Sequence, residues 1–134
     1  MSDILKCSTI VYRLALRDEH VDRKARRFLP TAFLLRSARN GRPREKALSV
    51  RRADRCTMDE ARKTLTSCYG VSTLHVGRVR DFGLTVVPDI PKPGQSESVI
   101  THAEIQGVAH PDVDLKSALL HANYLASEAR LVWP

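Results

Sequence analysis

The chain has 134 residues, of which 43% are hydrophobic and 28% charged, and its formal net charge is +7. These totals are typical of one folded domain with its own core and exclude an intrinsically disordered chain. No run of about 18 apolar residues is present, which excludes a membrane-spanning helix, and the first residues lack the basic and apolar regions of a secretory signal. We therefore expect a single cytoplasmic domain that covers residues 1–134 and has no membrane partner.

In chain order, the first half predicts short strands and turns. Residues 9–16 are rich in β-branched and aromatic side chains and predict a first strand. Residues 17–27 are almost wholly polar and predict an exposed loop or a short turn of helix, whereas residues 31–35 fit a strand and a helical turn equally well. A turn is expected at 40–43 and a further short strand at 47–50.

The middle of the chain contains the clearest helix start. Thr57 and Glu60 form a capping box, in which each side chain bonds to the backbone of the other residue, and Gly70 is expected to end the helix in a left-handed conformation. Residues 71–79 and 84–87 then predict two consecutive strands joined by a tight turn. Consecutive strands favour an antiparallel or mixed sheet.

The last third predicts one more strand and a long helix. Residues 99–106 predict the strand, and Asp114 is placed to cap the helix. The helix has a continuous apolar stripe, rich in alanine, that should pack closely on a partner, expected to be the sheet: Leu115, Ala118, Leu119, Ala122, Leu125, Ala126 and Ala129. Together these elements predict an α+β fold, a small mixed or mostly antiparallel sheet of about five strands with two or three helices packed on it.

The stretch HAEIQG at residues 102–107 is the first candidate site. In a strand, His102 and Glu104 point to the same polar face and stand roughly 7 Å apart. That spacing suits two groups that flank a substrate better than a direct His–Glu pair. A solvated strand face explains the same pattern, and we favour that interpretation.

Arg13 is a second candidate because it lies inside an apolar strand. Its guanidinium must reach a sheet edge, a carboxylate or a ligand. In one geometry Arg13, Ser49 and Glu104 converge from three strands, which resembles the layout of ADP-ribosyltransferases. The resemblance implies that the arginine holds a dinucleotide phosphate and the glutamate polarises the ribose. The Ser-Thr-Ser segment of that family is here reduced to Leu-Ser-Val.

Positive charge is concentrated in the front part of the chain, where residues 13–55 hold 14 Lys and Arg against 5 Asp and Glu. This asymmetry predicts a polyanionic partner, and arginine can pair bidentately with phosphate or carboxylate. Residues 17–46 form a basic segment that is a candidate for mobility. The hypothesis fails if the chain's own carboxylates neutralise the candidate binding residues: Arg23, Lys24, Arg26, Arg27, Arg36, Arg39, Arg42, Arg44, Arg51 and Arg52.

Several familiar sites are not indicated. Cys7, Cys56 and Cys68 are odd in number and widely spaced, so neither a structural metal nor another cofactor is expected. Only 5% of the residues are aromatic, which argues against platforms for stacking single-stranded bases. No helix-turn-helix, zinc-finger or RNA-recognition signature is present.

Five short motifs occur in a fixed order: TAF at 31–33, ALSV at 47–50, VVPD at 86–89, HAEIQG at 102–107 and LASEAR at 125–130. This layout resembles a group of small bacterial proteins of unknown activity over roughly residues 28–132. The resemblance implies a bacterial, cytoplasmic component of a larger complex and supplies no catalytic residue.

We therefore expect a non-enzymatic binding module that docks nucleic acid or a larger acidic protein surface, as a component of a bacterial complex. One alternative is an enzyme that uses a nucleotide such as NAD, with Arg13 on the phosphate and Glu104 and His102 on the reacting sugar. Another alternative is a component of a toxin or defence locus that acts only in complex.

Overall fold

The computed structural model describes residues 5–90, 93–94 and 98–134. Its main layer is a six-stranded sheet in the order β6-β7-β4-β1-β5-β8, in which every ladder is antiparallel, and β2 and β3 form a separate ribbon. The strands are β1 Ile10–Ala15, β2 Val21–Asp22, β3 Arg27–Phe28, β4 Leu48–Arg52, β5 Gly70–His75, β6 Thr85–Pro88, β7 His102–Gln106 and β8 Arg130–Trp133. The helices are α1 Met58–Arg62, α2 Val76–Asp81, α3 Ser98–Thr101 and α4 Leu115–Glu128, with single 3-10 turns at Asp18–His20 and Pro30–Phe33.

The α+β fold class expected from the sequence is confirmed, with six strands in the main sheet rather than about five. The first strand and the strand at 47–50 are also confirmed, because β1 and β4 cover those positions. Both cap predictions hold as well. Thr57 and Glu60 form the full capping box of α1, and the side chain of Asp114 accepts from the backbone N–H of Ser117 in α4.

The core has a large and a small part, on opposite faces of the sheet. Phe28 and Phe33 are fully buried in the large part, against inward-facing residues of the strands and against α4. The small part surrounds Leu14 and Ala61, where α1 packs on the other face of β1. The rest of that second face, over β4, β7 and β6, carries half-exposed and exposed polar side chains, and we call it the open face.

The apolar stripe of α4 is only partly buried. Ala118, Ala122, Leu125 and Ala126 are buried, whereas Leu115 is 57% and Leu119 41% exposed. We expected the sheet to be the packing partner of α4, but the helix packs chiefly on the Pro30–Phe33 turn and only secondarily on β5 of the sheet. Its small alanine side chains let the helix lie close to that turn.

The prediction of one long strand at 71–79 was wrong. The strand ends at His75, and α2 follows directly from Val76. Val76 and Val79 are three residues apart and both are fully buried, so the helix places both side chains on its inner face. Consequently β5 and β6 are not neighbours in the sheet.

The predicted end of the first helix at Gly70 was also wrong. Helix α1 ends at Arg62, and Gly70 is the first residue of β5. The close packing around Gly70 leaves no room for a side chain, because an added Cβ would lie 2.9 Å from Val21 Cγ2 and 3.1 Å from Phe28 Cε1.

The predicted strand at 99–106 is confirmed only from His102 onward, because Ser98–Thr101 is a helix. The reason is that neither ladder of β7 continues to the residues before His102. The ladder with β6 ends where Ala103 faces Pro88, and the ladder with β4 ends where His102 faces Arg51. A β-branched sequence forms a strand only where a neighbour can accept its backbone hydrogen bonds.

The basic segment at 17–46 contains regular structure. It holds the β2–β3 ribbon and both 3-10 turns, and it is fixed to the core by Phe28, Phe33 and Leu35, which are at most 3% exposed. The turn predicted at 40–43 is present, and Asn40 and Gly41 both have positive φ angles there. Mobility of this segment stays a prediction.

Candidate functional site

The sheet order brings three polar residues together on the open face. Neighbouring strands β7 and β4 supply His102 and Ser49, and Asp89 follows the last residue of β6 on the other side of β7. Ser49 lies opposite Glu104 and His102 lies opposite Arg51 in the β4–β7 ladder, so Ser49 and His102 are diagonal neighbours on one face.

The contacts within this group form a continuous chain. The Nε2 atom of His102 lies 2.8 Å from Ser49 Oγ, and its Nδ1 atom lies 3.1 Å from Asp89 Oδ2. A carboxylate can only accept, so Nδ1 carries the proton in the neutral ring and Nε2 accepts from the Ser49 hydroxyl. We call these three residues the Ser49 relay. The His102 side chain is 20% exposed and that of Asp89 46% exposed, so the relay is open to solvent.

Glu104 shares the open face with His102, as the sequence analysis predicted. It stands between Ser49 on β4 and Val87 on β6 and is half-buried. Within the described part of the chain the side chain of Glu104 makes no hydrogen bond or ion pair, so it flanks the relay without taking part in it. The two residues therefore do not form a pair, and the partners of His102 are Ser49 and Asp89.

Arg13 is largely buried, and its guanidinium bonds to backbone carbonyl oxygens. Its Nε and Nη2 atoms donate to the carbonyl oxygen of Ala32 at 3.0 and 2.7 Å, and its Nη1 atom donates to that of Ser49 at 2.8 Å. Burial lowers the pKa of Arg13 to about 10, which leaves the side chain charged at neutral pH. The expected convergence with Ser49 and Glu104 is thus replaced by a contact with the Ser49 backbone, and no donor of Arg13 is directed to Glu104.

A small cavity of about 200 Å³ opens beside Ser49, and we call it the Ser49 pocket. Leu14, Leu16 and Leu65 supply its apolar walls, while its charged lining consists of Arg13, Arg51 and Glu45. Arg51 also donates to Thr101 Oγ1 at 2.9 Å. Burial lowers the pKa of Arg51, an effect that the nearby Cys56 and Asp89 oppose.

A second cavity of about 420 Å³ adjoins the Ser49 pocket, and Arg13, Leu16 and Glu45 line both cavities. We call it the arginine cleft, because its lining includes five arginines and one carboxylate: Arg13, Arg17, Arg36, Arg39, Arg42 and Glu45. His20 also lines it, and its pKa is lowered by burial and by the adjacent Arg13 and Arg17. Guanidinium groups thus outnumber carboxylates in the lining, and one of them, Arg17, also pairs with Glu19 at 3.4 Å.

The ten predicted binding residues divide into three groups. Six are exposed, and their side chains make no hydrogen bond or ion pair with the described residues: Lys24, Arg26, Arg27, Arg39, Arg42 and Arg44. Arg36 is held by the carbonyl oxygens of Ser37 and Pro43, and Arg51 belongs to the Ser49 pocket.

The remaining two pair with carboxylates. Arg23 bonds to Asp18 at the surface, where such a pair contributes little stability. Arg52 was placed on the binding surface in error, since it is 3% exposed and makes two bonds to Asp54. The chain's own carboxylates therefore leave most of the predicted positive surface unneutralised.

The sequence analysis missed two residues of these candidate sites, Asp89 and Arg17. Asp89 stood out only as the last residue of a Val-Val-Pro-Asp motif, and Arg17 was counted in the charge total but not as a site residue. The available signal for Asp89 was a carboxylate directly after a proline that ends a strand. The signal for Arg17 was its position just after β1, close to the buried Arg13.

No His, Cys, Asp or Glu side chains of the described ranges 5–90, 93–94 and 98–134 gather in threes as a metal site requires. Among those same residues, no helix is long and apolar enough to span a membrane. Comparisons with models of known families, with curated proteins and with solved structures found no match for this chain.

Proposed function

We propose that this chain is a small basic module that binds the phosphate backbone of nucleic acid through the arginine cleft. The observation that carries the proposal is the lining of this cleft, in which five arginines face a single glutamate. That glutamate is already engaged, because Glu45 Oε1 accepts from the backbone N–H of Arg36 at 2.7 Å. Guanidinium groups gathered in a concave site favour a phosphate, which they can contact bidentately.

Exposed cations extend the positive surface beyond the cleft. Arg44 follows the turn that carries Arg39 and Arg42, and the β2–β3 turn carries Lys24 and Arg26. Side chains that bind phosphates release condensed counterions, which supplies affinity without reading the base sequence. With few aromatic residues available, we expect binding that is largely independent of sequence. A role as one component of a bacterial complex is part of the same proposal.

The test is fluorescence anisotropy with a labelled 20-base-pair duplex over 50–300 mM NaCl. The variant Arg39→Ser with Arg42→Ser should weaken binding by about 10-fold at 100 mM NaCl. It should also reduce the slope of log K against log salt by about 1.8, since each lost phosphate contact accounts for about 0.9.

The matched control is Lys116→Ser with Arg130→Ser, which removes the same charge from exposed positions outside the cleft. We expect the control to keep the wild-type slope. Equal losses in both variants would show that net charge alone drives binding and would refute the cleft as the site. Binding to a polyglutamate chain but not to DNA or RNA would identify an acidic protein as the partner and refute the nucleic-acid proposal.

A further inference from the structure

The three residues of the Ser49 relay lie outside the lining of the arginine cleft, and their geometry is that of an activated nucleophile. A serine hydroxyl at 2.8 Å from a histidine nitrogen is within reach for proton transfer. The carboxylate of Asp89, at 3.1 Å from the opposite nitrogen, fixes the ring orientation and the proton-accepting tautomer. From this arrangement we propose that the chain hydrolyses small carboxylic esters, with Ser49 as nucleophile and His102 as general base.

The Ser49 pocket carries net positive charge beside the nucleophile, because Arg13 and Arg51 outnumber Glu45 in its lining. Negative charge develops on the ester carbonyl oxygen when serine attacks, and donors aimed at that position accelerate acyl transfer. Arg51 and Arg13 both line the pocket beside Ser49. Their guanidinium groups are held in place by Thr101 and by two backbone carbonyl oxygens respectively, so they are preorganised.

The backbone N–H of Ser49 points toward the same pocket. Residues of an antiparallel strand direct N–H and C=O to the same side, and the Ser49 carbonyl faces Arg13 on the β1 side. The β1–β4 ladder ends where Tyr12 faces Arg51, two pairs before the level of Ser49. The amide of the nucleophile is therefore directed into the gap between the two strands, where the pocket opens.

The pocket also defines the substrate class. Drug-sized ligands occupy sites of roughly 300–1,000 Å³, so a cavity of about 200 Å³ suits a short acyl chain. The side chains of Leu14, Leu16 and Leu65 give that chain an apolar environment. The leaving alcohol would lie toward the solvent-exposed side of His102.

The reaction balances with water as the only co-reactant. Ser49 Oγ bonds to the carbonyl carbon while its proton passes to His102 Nε2, and this proton then goes to the alcohol oxygen as its bond to the carbonyl carbon breaks. Water next attacks the acyl-serine, gives a proton to His102, and releases the carboxylic acid as that proton returns to Ser49 Oγ. Asp89 is a positioning residue throughout, because it contacts His102 Nδ1 and exchanges no proton with the substrate.

The experiment treats the full chain with an alkyl fluorophosphonate and, separately, with p-nitrophenyl butyrate. We expect one covalent phosphonyl group per chain by intact mass, located by tryptic digestion in residues 47–51, where Ser49 is the sole hydroxyl. Ser49→Ala should abolish labelling and ester turnover, whereas Ser67→Ala, at an exposed serine, should change neither. His102→Ala should slow labelling by at least about 100-fold, and added imidazole should restore part of the rate.

Asp89→Asn should slow labelling while leaving the melting temperature unchanged, and Asp89→Glu should recover part of the rate. Labelling that falls on another residue, or that is indifferent to His102→Ala, would overturn the proposal. Absence of both labelling and turnover in the folded wild-type chain would do the same. None of these outcomes depends on nucleic acid binding, so the two proposals succeed or fail separately.

Discussion

Replacement of Arg13 by methionine tests whether this residue holds two parts of the fold together. Methionine keeps the length of the aliphatic stem, so little volume is lost. It removes three hydrogen bonds and leaves the carbonyl oxygens of Ala32 and Ser49 without their donors. These carbonyls link the Pro30–Phe33 turn and β4 to the side chain of a β1 residue.

The magnitude follows from two opposing effects. Each buried carbonyl left without a partner costs about 1–3 kcal/mol, which gives about 2–6 kcal/mol for the pair. Removal of the buried charge stabilises the folded state, because burial of the charged Arg13 side chain is unfavourable enough to lower its pKa to about 10. We expect a net loss of about 2–3 kcal/mol in the free energy of unfolding, which is a large part of the usual 5–15 kcal/mol.

The assay is urea denaturation followed by circular dichroism, with Arg78→Met as control at an exposed position. With a slope of about 2 kcal/mol per molar urea, the midpoint of Arg13→Met should fall by about 1 M. The control should stay within about 0.5 kcal/mol of wild type. If both variants unfold at the same urea concentration, Arg13 does not hold β1, β4 and the turn together, and the reasoning fails.

Two further predictions concern packing and pH. Gly70→Ala should lower the free energy of unfolding by about 1–3 kcal/mol, because the new Cβ would press on the buried side chains of Val21 and Phe28; a melting temperature at or above that of wild type would contradict the prediction. The hydrogen bond from Arg52 lowers the pKa of Asp54 in the folded state below its value near 3.8 in the unfolded chain. The ionised carboxylate therefore stabilises the fold fully at a pH above the unfolded-state pKa, and this stabilisation is lost as the pH falls through the lower folded-state pKa. The stability difference between wild type and Asp54→Asn should therefore shrink from pH 6 to pH 3, and a constant difference in urea denaturation would show that the ion pair does not contribute it.

Local signals gave the most accurate sequence predictions. The capping box at Thr57 depends on residues three apart, and a Thr hydroxyl and a Glu carboxylate can satisfy it in any fold. The segment after His75 could not be assigned in this way, because Val76 and Val79 fit more than one pattern. The conformation of this segment depends on tertiary packing against Cys7, which is so close that an added Cβ on Gly77 would lie 3.0 Å from the Cys7 backbone oxygen.

Only part of the candidate site could be predicted from the sequence. Alternation along β7 correctly placed His102 and Glu104 on one polar face. The partners of His102 come from positions 53 and 13 residues away, and they reach it only because β7 is inserted between β6 and β4. Arg51 lines the Ser49 pocket, whereas the neighbouring Arg52 points into the protein. Strand alternation could have distinguished these two residues, but only once the bounds of β4 were known.

The register of β7 has a consequence for how the protein tolerates insertions and deletions. Side chains alternate strictly along a strand, so one residue added or removed within His102–Gln106 would turn His102 away from Ser49 and turn Ala103 and Ile105 out of the core. Length variation at the exposed turn around Asn40 and Gly41 changes no strand pairing in the main sheet. Surviving chains from a random indel library should therefore vary in length at that turn and keep β7 at its present length.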